Sequence, residues 1–163
     1  MKNHTSAKER GMTLIEIMLV LGLIAMLSIG SLQGWREHQQ RARLEQQAQM
    51  LRIYLSGLQA QSYQYNLSHL LWTIVGKSGC VGSGIKPVDC ASAGGSLFKP
   101  TAPDITVGVY SEKTMGFYGL RNMAQAGHIT LTNAAGTIRV ILSARGRIRL
   151  CSEGKSIAGM AVC

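Results

Sequence analysis

Proline is missing from the first half of this chain: none of its three prolines precedes Pro87. Nothing before that residue therefore removes a backbone donor or forces a break in a helix. Carboxylates are also scarce, with 8 Asp and Glu against 17 Lys and Arg. Asp89 and Asp104 are the only aspartates, and no acidic cluster with calcium-ligand spacing exists. There is no C-x-x-C pair, and His4, His38, His69 and His128 do not fall at zinc-ligand spacings. A G-x-S-x-G nucleophile elbow is absent. His128, alone at the start of a candidate strand, reads as structural. These absences leave no catalytic constellation. The chain reads as a non-enzyme with no metal, no cofactor and no small-molecule substrate.

What is present is concentrated at the N-terminus. From Met12 to Leu32 every side chain is apolar or small, apart from Thr13, Ser28, Ser31 and one charge, Glu16. About 20 such residues suffice to cross a bilayer. A carboxylate at the centre of such a run costs about 2.5–3.5 kcal/mol on insertion scales, and less near its end. Ionisable groups in such runs have partners and serve function. Ahead of the run stand Lys2, Lys8 and Arg10 against Glu9, a short basic arm that the positive-inside rule keeps in the cytoplasm. An ordinary secretory signal also has a basic arm and an apolar core, but this core is too long, and a glutamate near its start weakens it. A plain single-pass anchor gives Glu16 no role.

The arrangement of basic arm, Gly11, then Met12-Thr13-Leu14-Ile15-Glu16 resembles the leader of type IV prepilins and type II secretion pseudopilins. The resemblance implies a prepilin peptidase that cuts between Gly11 and Met12 and N-methylates Met12. Glu16 becomes the fifth mature residue. Its implied role is filament assembly, its carboxylate meeting the methylated amine of a neighbouring subunit, an attraction far stronger in low dielectric than in water. The family usually has phenylalanine where Met12 stands. The implied location is the bacterial inner membrane, N-terminus cytoplasmic and C-terminal domain periplasmic, and then a pilus or pseudopilus of other such subunits.

The 163 residues suit a membrane helix plus one modest domain. The leader's basic excess accounts for two of the nine net positive charges, leaving +7 on the remainder. A basic exported domain suits phosphates, acidic partners or anionic lipid. Cys80, Cys90, Cys151 and Cys163 all follow the apolar run, and an oxidising compartment favours disulfides. Four cysteines allow three pairings. Cys80–Cys90 and Cys151–Cys163 are favoured, because each closes a short Gly- or Ser-rich loop.

Beyond Leu32, Leu44, Ala48, Leu51, Leu55 and Leu58 recur at four, three, four and three, one stripe of a helix. One helix from about Met12 to about Gln61, roughly 75 Å long, is predicted, with a transmembrane half over 12–34. After Ser62 the period becomes two. Strands are predicted at His69–Val75, Ile105–Ser111, Gly116–Tyr118, His128–Thr132, Thr137–Ser143 and Arg147–Cys151. Asn133-Ala134-Ala135-Gly136 reads as a hairpin loop and Ala144-Arg145-Gly146 as a tight turn. Residues 76–104 read as a loop clipped by Cys80–Cys90. The expected organisation is a leader over 1–11, a long helix over 12–61 and a β-rich periplasmic domain over 62–163. The fold class is α+β, a long helix packed on an antiparallel sheet.

Arg139, Arg145, Arg147 and Arg149 cluster near the C-terminus, with Arg147 and Arg149 on one strand face. They read either as solvation of an edge strand or as a phosphate-binding hairpin. Phe117-Tyr118-Gly119-Leu120-Arg121-Asn122, Ala126-Gly127-His128-Ile129 and Gly146-Arg147-Ile148-Arg149-Leu150-Cys151 resemble the group joining H-type pseudopilins and FimT-type minor pilins, prepilin peptidase-dependent proteins among them. That resemblance implies sequence-independent, salt-sensitive DNA binding by Arg145, Arg147 and Arg149 as the alternative to a structural, assembly-initiating or tip role.

Overall fold

The computed structural model describes residues 13–111, 114–119 and 123–163, without the side chains of 28–33. The expected cleavage and methylation sites, Gly11 and Met12, lie outside the described residues, as do Leu120, Arg121 and Asn122. The chain divides into two compact units, Met1–Glu37 and His38–Cys163.

One helix, α1 (Leu14–Tyr65), begins in the first unit and ends in the second. The Thr13 carbonyl accepts from the amides of Glu16 (3.0 Å) and Ile17 (3.3 Å), closing its first turn. The helix runs four residues past the expected end near Gln61. Ser62 extends the buried stripe by one further turn and is 1% exposed. The stop is a left-handed Asn66 (φ 52°) followed by a 3.1 Å bond from the Leu67 amide to the Ser62 carbonyl, a Schellman closure. Gly119 packs against that cap. A Cβ there would lie 2.6 Å from the Ser62 carbonyl oxygen and from Asn66 Cα, so any larger residue would push the strand layer off the helix end.

Among the described residues ten strands follow: β1 (His69–Ile74), β2 (Gly76–Lys77), β3 (Cys80–Ser83), β4 (Leu97–Phe98), β5 (Thr106–Tyr110), β6 (Gly116–Tyr118), β7 (Met123–Gln125), β8 (Gly127–Asn133), β9 (Gly136–Leu142) and β10 (Ile148–Glu153). They form two sheets, ordered β4-β3-β1-β6-β7 and β10-β9-β8-β5-β2, and every pairing is antiparallel. The architecture is α+β, a long helix packed on antiparallel sheets.

Residues 76–104 are not a plain loop: they hold β2, β3 and β4. These strands are two to four residues long, too short to show a period. Gly82 in β3 stacks beneath Trp72, where a Cβ would come 2.2 Å from ring atom Cζ2. The Cys80–Cys90 bond ties β3 to the following loop, and Cys151–Cys163 ties β10 to the C-terminus.

The core gathers the helix stripe Leu44, Ala48, Leu51, Leu55 and Leu58 with Leu71, Val81, Phe98 and Phe117 from the first sheet and Val107, Ile129, Leu131, Ile138, Val140 and Leu142 from the second. One buried polar contact crosses this layer. Gln47 donates from Nε2 to Thr101 Oγ1 (2.9 Å) and accepts the Thr101 amide on Oε1 (3.2 Å), so its desolvated amide is satisfied. The β8–β9 hairpin closes at Asn133↔Gly136. Asn133 Oδ1 accepts the Ala135 amide (2.8 Å) and Nδ2 donates to the Gln40 carbonyl (2.9 Å), which pins the turn to the helix.

Leu51 has no exposed surface and Ile53, two residues on, is 70% exposed. Leu51→Ala should cost about 2–5 kcal/mol, and Ile53→Ala less than about 0.5 kcal/mol. A guanidinium melt of the full chain in mild detergent, followed by circular dichroism, measures both.

Candidate functional site

The first unit carries the apolar helix face. Leu14, Ile15, Ile17, Met18, Leu19, Val20, Leu21, Leu23, Ile24, Met26 and Leu27 are all well exposed. Glu16 is the only acidic residue of the first turn and is itself exposed. A carboxylate there also meets the positive end of the helix dipole. Among the described residues no helix is long and apolar enough to cross a membrane. The described side chains of the run, Leu14 to Leu27, span about 21 Å at 1.5 Å per residue. The continuation through 28–33 lies outside them.

The second unit carries the basic hairpin. Gly146, at φ 73°, takes the left-handed turn position that glycine adopts without a Cβ penalty. Its carbonyl accepts from Gln59 Nε2 at 2.9 Å, and the Ala144 carbonyl accepts the Ala124 amide at 3.0 Å. The turn is thus fixed to the helix and to β7. Arg145, Arg147 and Arg149 are exposed. Among the described residues none of the three pairs with a carboxylate.

Arg139 does not belong with them. Its Nε donates to Glu153 Oε2 at 3.3 Å, and its Nη2 to Oε1. The register explains the choice: Arg139 faces Cys151, and Glu153 is the diagonal neighbour two residues on, within reach of long side chains. His128 stacks on Tyr110 with ring centroids 5.2 Å apart. Burial and then the nearby Arg139 charge hold its pKa below the usual histidine value, and Glu153 opposes them. Among the described residues no group of three or more His, Cys, Asp or Glu could hold a metal ion.

The structure adds a residue that the sequence did not point to. Arg52, on α1 one position past the buried Leu51, lines a groove of about 380 Å³ with Gln49, Arg147, Arg149, Met160 and Ala161. The available signal was its place at the border of the leucine stripe, where a side chain flanks the helix–sheet seam.

Residues 6–32 match the family model of the prokaryotic N-terminal methylation motif. That match takes in Gly11, Met12 and Glu16 together, and it indicates a type IV pilin-like substrate of a prepilin peptidase. Such a motif points to assembly with other pilin subunits and to a structural rather than catalytic protein. No match was found among curated proteins or solved structures.

The Cys151–Cys163 bond secures the C-terminal segment, which lies along β10 through bonds between Ser152 and both Ala161 (2.9 Å) and Cys163 (3.0 Å). Cys151→Ser should remove on the order of 2–4 kcal/mol and lower the melting temperature by several degrees. Thiol labelling of the unreduced wild type should find no reactive group, and calorimetry of wild type and variant reads the shift.

Proposed function

We propose that the chain is a minor pilin or pseudopilin subunit of a type IV pilus or type II secretion-type filament. Residues 1–11 form a leader removed by prepilin peptidase, Met12 becomes the N-methylated terminus, and the apolar half of α1 over 12–34 anchors the precursor in the inner membrane. The β-rich region over 62–163 then stands in the periplasm. A filament-initiating or tip position suits a basic domain, a proline-free helix and few aromatics. The resemblance of the Phe117, Ala126 and Gly146 segments supports a subunit of the H-type pseudopilin and FimT-type group.

One observation carries this reading: Glu16 is the sole charge on an exposed apolar helix face, the fifth residue after the expected cut. A carboxylate there has a reason to exist if a neighbouring subunit's terminal amine meets it in the low-dielectric filament core.

Two substitutions test it in cells. Gly11→Val should leave the precursor uncut, because a Cβ enters the peptidase pocket, and mass spectrometry of the membrane fraction reads the leader. Glu16→Leu should be trimmed and inserted as well as the wild type or better, yet be lost from filaments. Equal trimming of wild type and Gly11→Val would remove the filament-subunit reading.

Exposed, unpaired Arg145, Arg147 and Arg149 favour a second reading, DNA binding in DNA uptake. Each phosphate contact contributes about −0.9 to the slope of log K against log salt on duplex, and about −0.7 on single strands. Replacing all three by Gln should flatten that slope by roughly two to three units. A wild-type protein with no salt-dependent DNA binding at low ionic strength ends this reading.

A further inference from the structure

The outer edge of β10 is built to take a strand, and part of it already does. Val162 pairs in parallel with Ser152. The Ser152 amide donates to the Ala161 carbonyl and the Ser152 carbonyl accepts the Cys163 amide. Both backbone groups of Ser152 therefore point away from β9. The pairing of β10 with β9 runs from Ile148↔Leu142 to Glu153↔Thr137 without a bulge, and backbone direction alternates along a strand. Ile148 and Leu150 must then present their N–H and C=O groups to the same open side. The chain's own C-terminal segment makes no backbone bond to them: Met160 and Ala161 line the same groove, but the residues before Ala161 close into a turn, with the Met160 amide on the Ile157 carbonyl at 3.0 Å. Among the described residues these four backbone groups have no partner.

Both walls of this opening are basic. The side chains of Ile148 and Leu150 pack against the core, so Arg149 between them projects from the opposite face of the sheet. Arg147 stands two residues earlier. On the helix side the wall is Arg52 with Gln49, and all of these residues line the one groove. None of Arg52, Arg147 and Arg149 has a carboxylate partner among the described residues.

We propose that this edge binds an extended acidic segment of another protein, added antiparallel or parallel to β10 as a further strand. Its backbone bonds Ile148 and Leu150. Acidic side chains on one of its faces meet Arg147 and Arg149, and those on the other meet Arg52. Carboxylates suit guanidinium forks because two parallel N–H···O bonds can form. A nucleic acid would use the arginines and its phosphates could take the two N–H groups, but it would leave the two carbonyls unmet, and the groove holds no aromatic ring on which a base could stack. A second copy of this chain fits poorly, since no two of its carboxylates are closer than seven residues in sequence. The proposal stands on the edge geometry alone and does not depend on the filament reading.

The test uses the full chain in a zwitterionic detergent and a fluorescein-labelled peptide with glutamates on both strand faces, acetyl-Thr-Glu-Glu-Val-Glu-Glu-Thr-amide. Its controls are the same peptide with lysine for glutamate, the same peptide N-methylated on alternate backbone nitrogens, and a single-stranded DNA 12-mer. The acidic peptide should bind by anisotropy, and the lysine peptide should not. N-methylation should weaken binding about tenfold or more, the effect expected when hydrogen bonds along an edge are blocked. Arg52→Gln and Arg149→Gln should each weaken it several-fold, and Lys99→Gln should not. Amide exchange at Ile148 and Leu150 should slow on binding. Equal binding of the N-methylated peptide would overturn the proposal in favour of bulk charge attraction. Binding of the DNA but not of the acidic peptide would overturn it in favour of a nucleic-acid surface, and binding of neither would overturn it outright.

Discussion

The β-rich unit depends on one strip of side chains, Leu44, Ala48, Leu51, Leu55 and Leu58, none more than 5% exposed. Two sheets meet that strip, and among the described residues no strand pairing joins the two. Their common support is apolar: residues from both sheets and the helix form one core cluster. Each fully buried leucine contributes roughly 1.5–3 kcal/mol of transfer free energy. Without the helix, each sheet would expose an apolar face, and neither could stand alone in water. The polar ties at Gln47, Gln59 and Asn133 then fix the register of helix against strands, which a greasy contact alone does not specify.

The same helix shows the opposite condition at its beginning. From Leu14 to Leu27 its apolar side chains are exposed, a surface far beyond what a lone soluble chain tolerates. The two ends of α1 therefore solve different problems. The later part finds its cover within the chain, and the earlier part finds none among the described residues. A sole carboxylate at Glu16 costs little at the edge of such a surface and supplies the one polar group there that a partner can select.

Much of this was legible in the sequence because the relevant periods are long and uninterrupted. The leucine stripe needs only spacing to be read, and β8, β9 and β10 alternate over six or seven residues. The helix end was placed four residues early because Ser62 is polar, although it sits on the buried stripe. The short strands β2, β3, β4 and β7 were not visible. Two to four residues carry no readable period, and Gly82 in β3 is required by the Trp72 ring rather than by any strand preference. The arginine cluster was legible as a group but not in its division. Only the register of β9 on β10 shows that Glu153 takes Arg139 and leaves Arg149 alone. Arg52 is ninety-five residues from Arg147, and no local pattern connects them.

The four sheet edges explain why the basic residues stand where they do. β2 and β4 have two residues each and β7 has three, and edges so short offer almost nothing for another chain to extend. β10 has six. Among the described residues it is the longest of the four edge strands, and it is guarded by two means. At its end the disulfide-held C-terminus occupies Ser152. At its start Arg147 and Arg149, with Arg52 across the groove, repel a strand that brings positive charge and favour one that brings negative charge. Charges on an edge are usually described as protection against aggregation. With only eight carboxylates in the chain, the same three arginines turn that protection into a criterion, because they discourage copies of this protein and admit an acidic segment. Discrimination by repulsion is as effective as discrimination by contact, and here the fold supplies both at one edge.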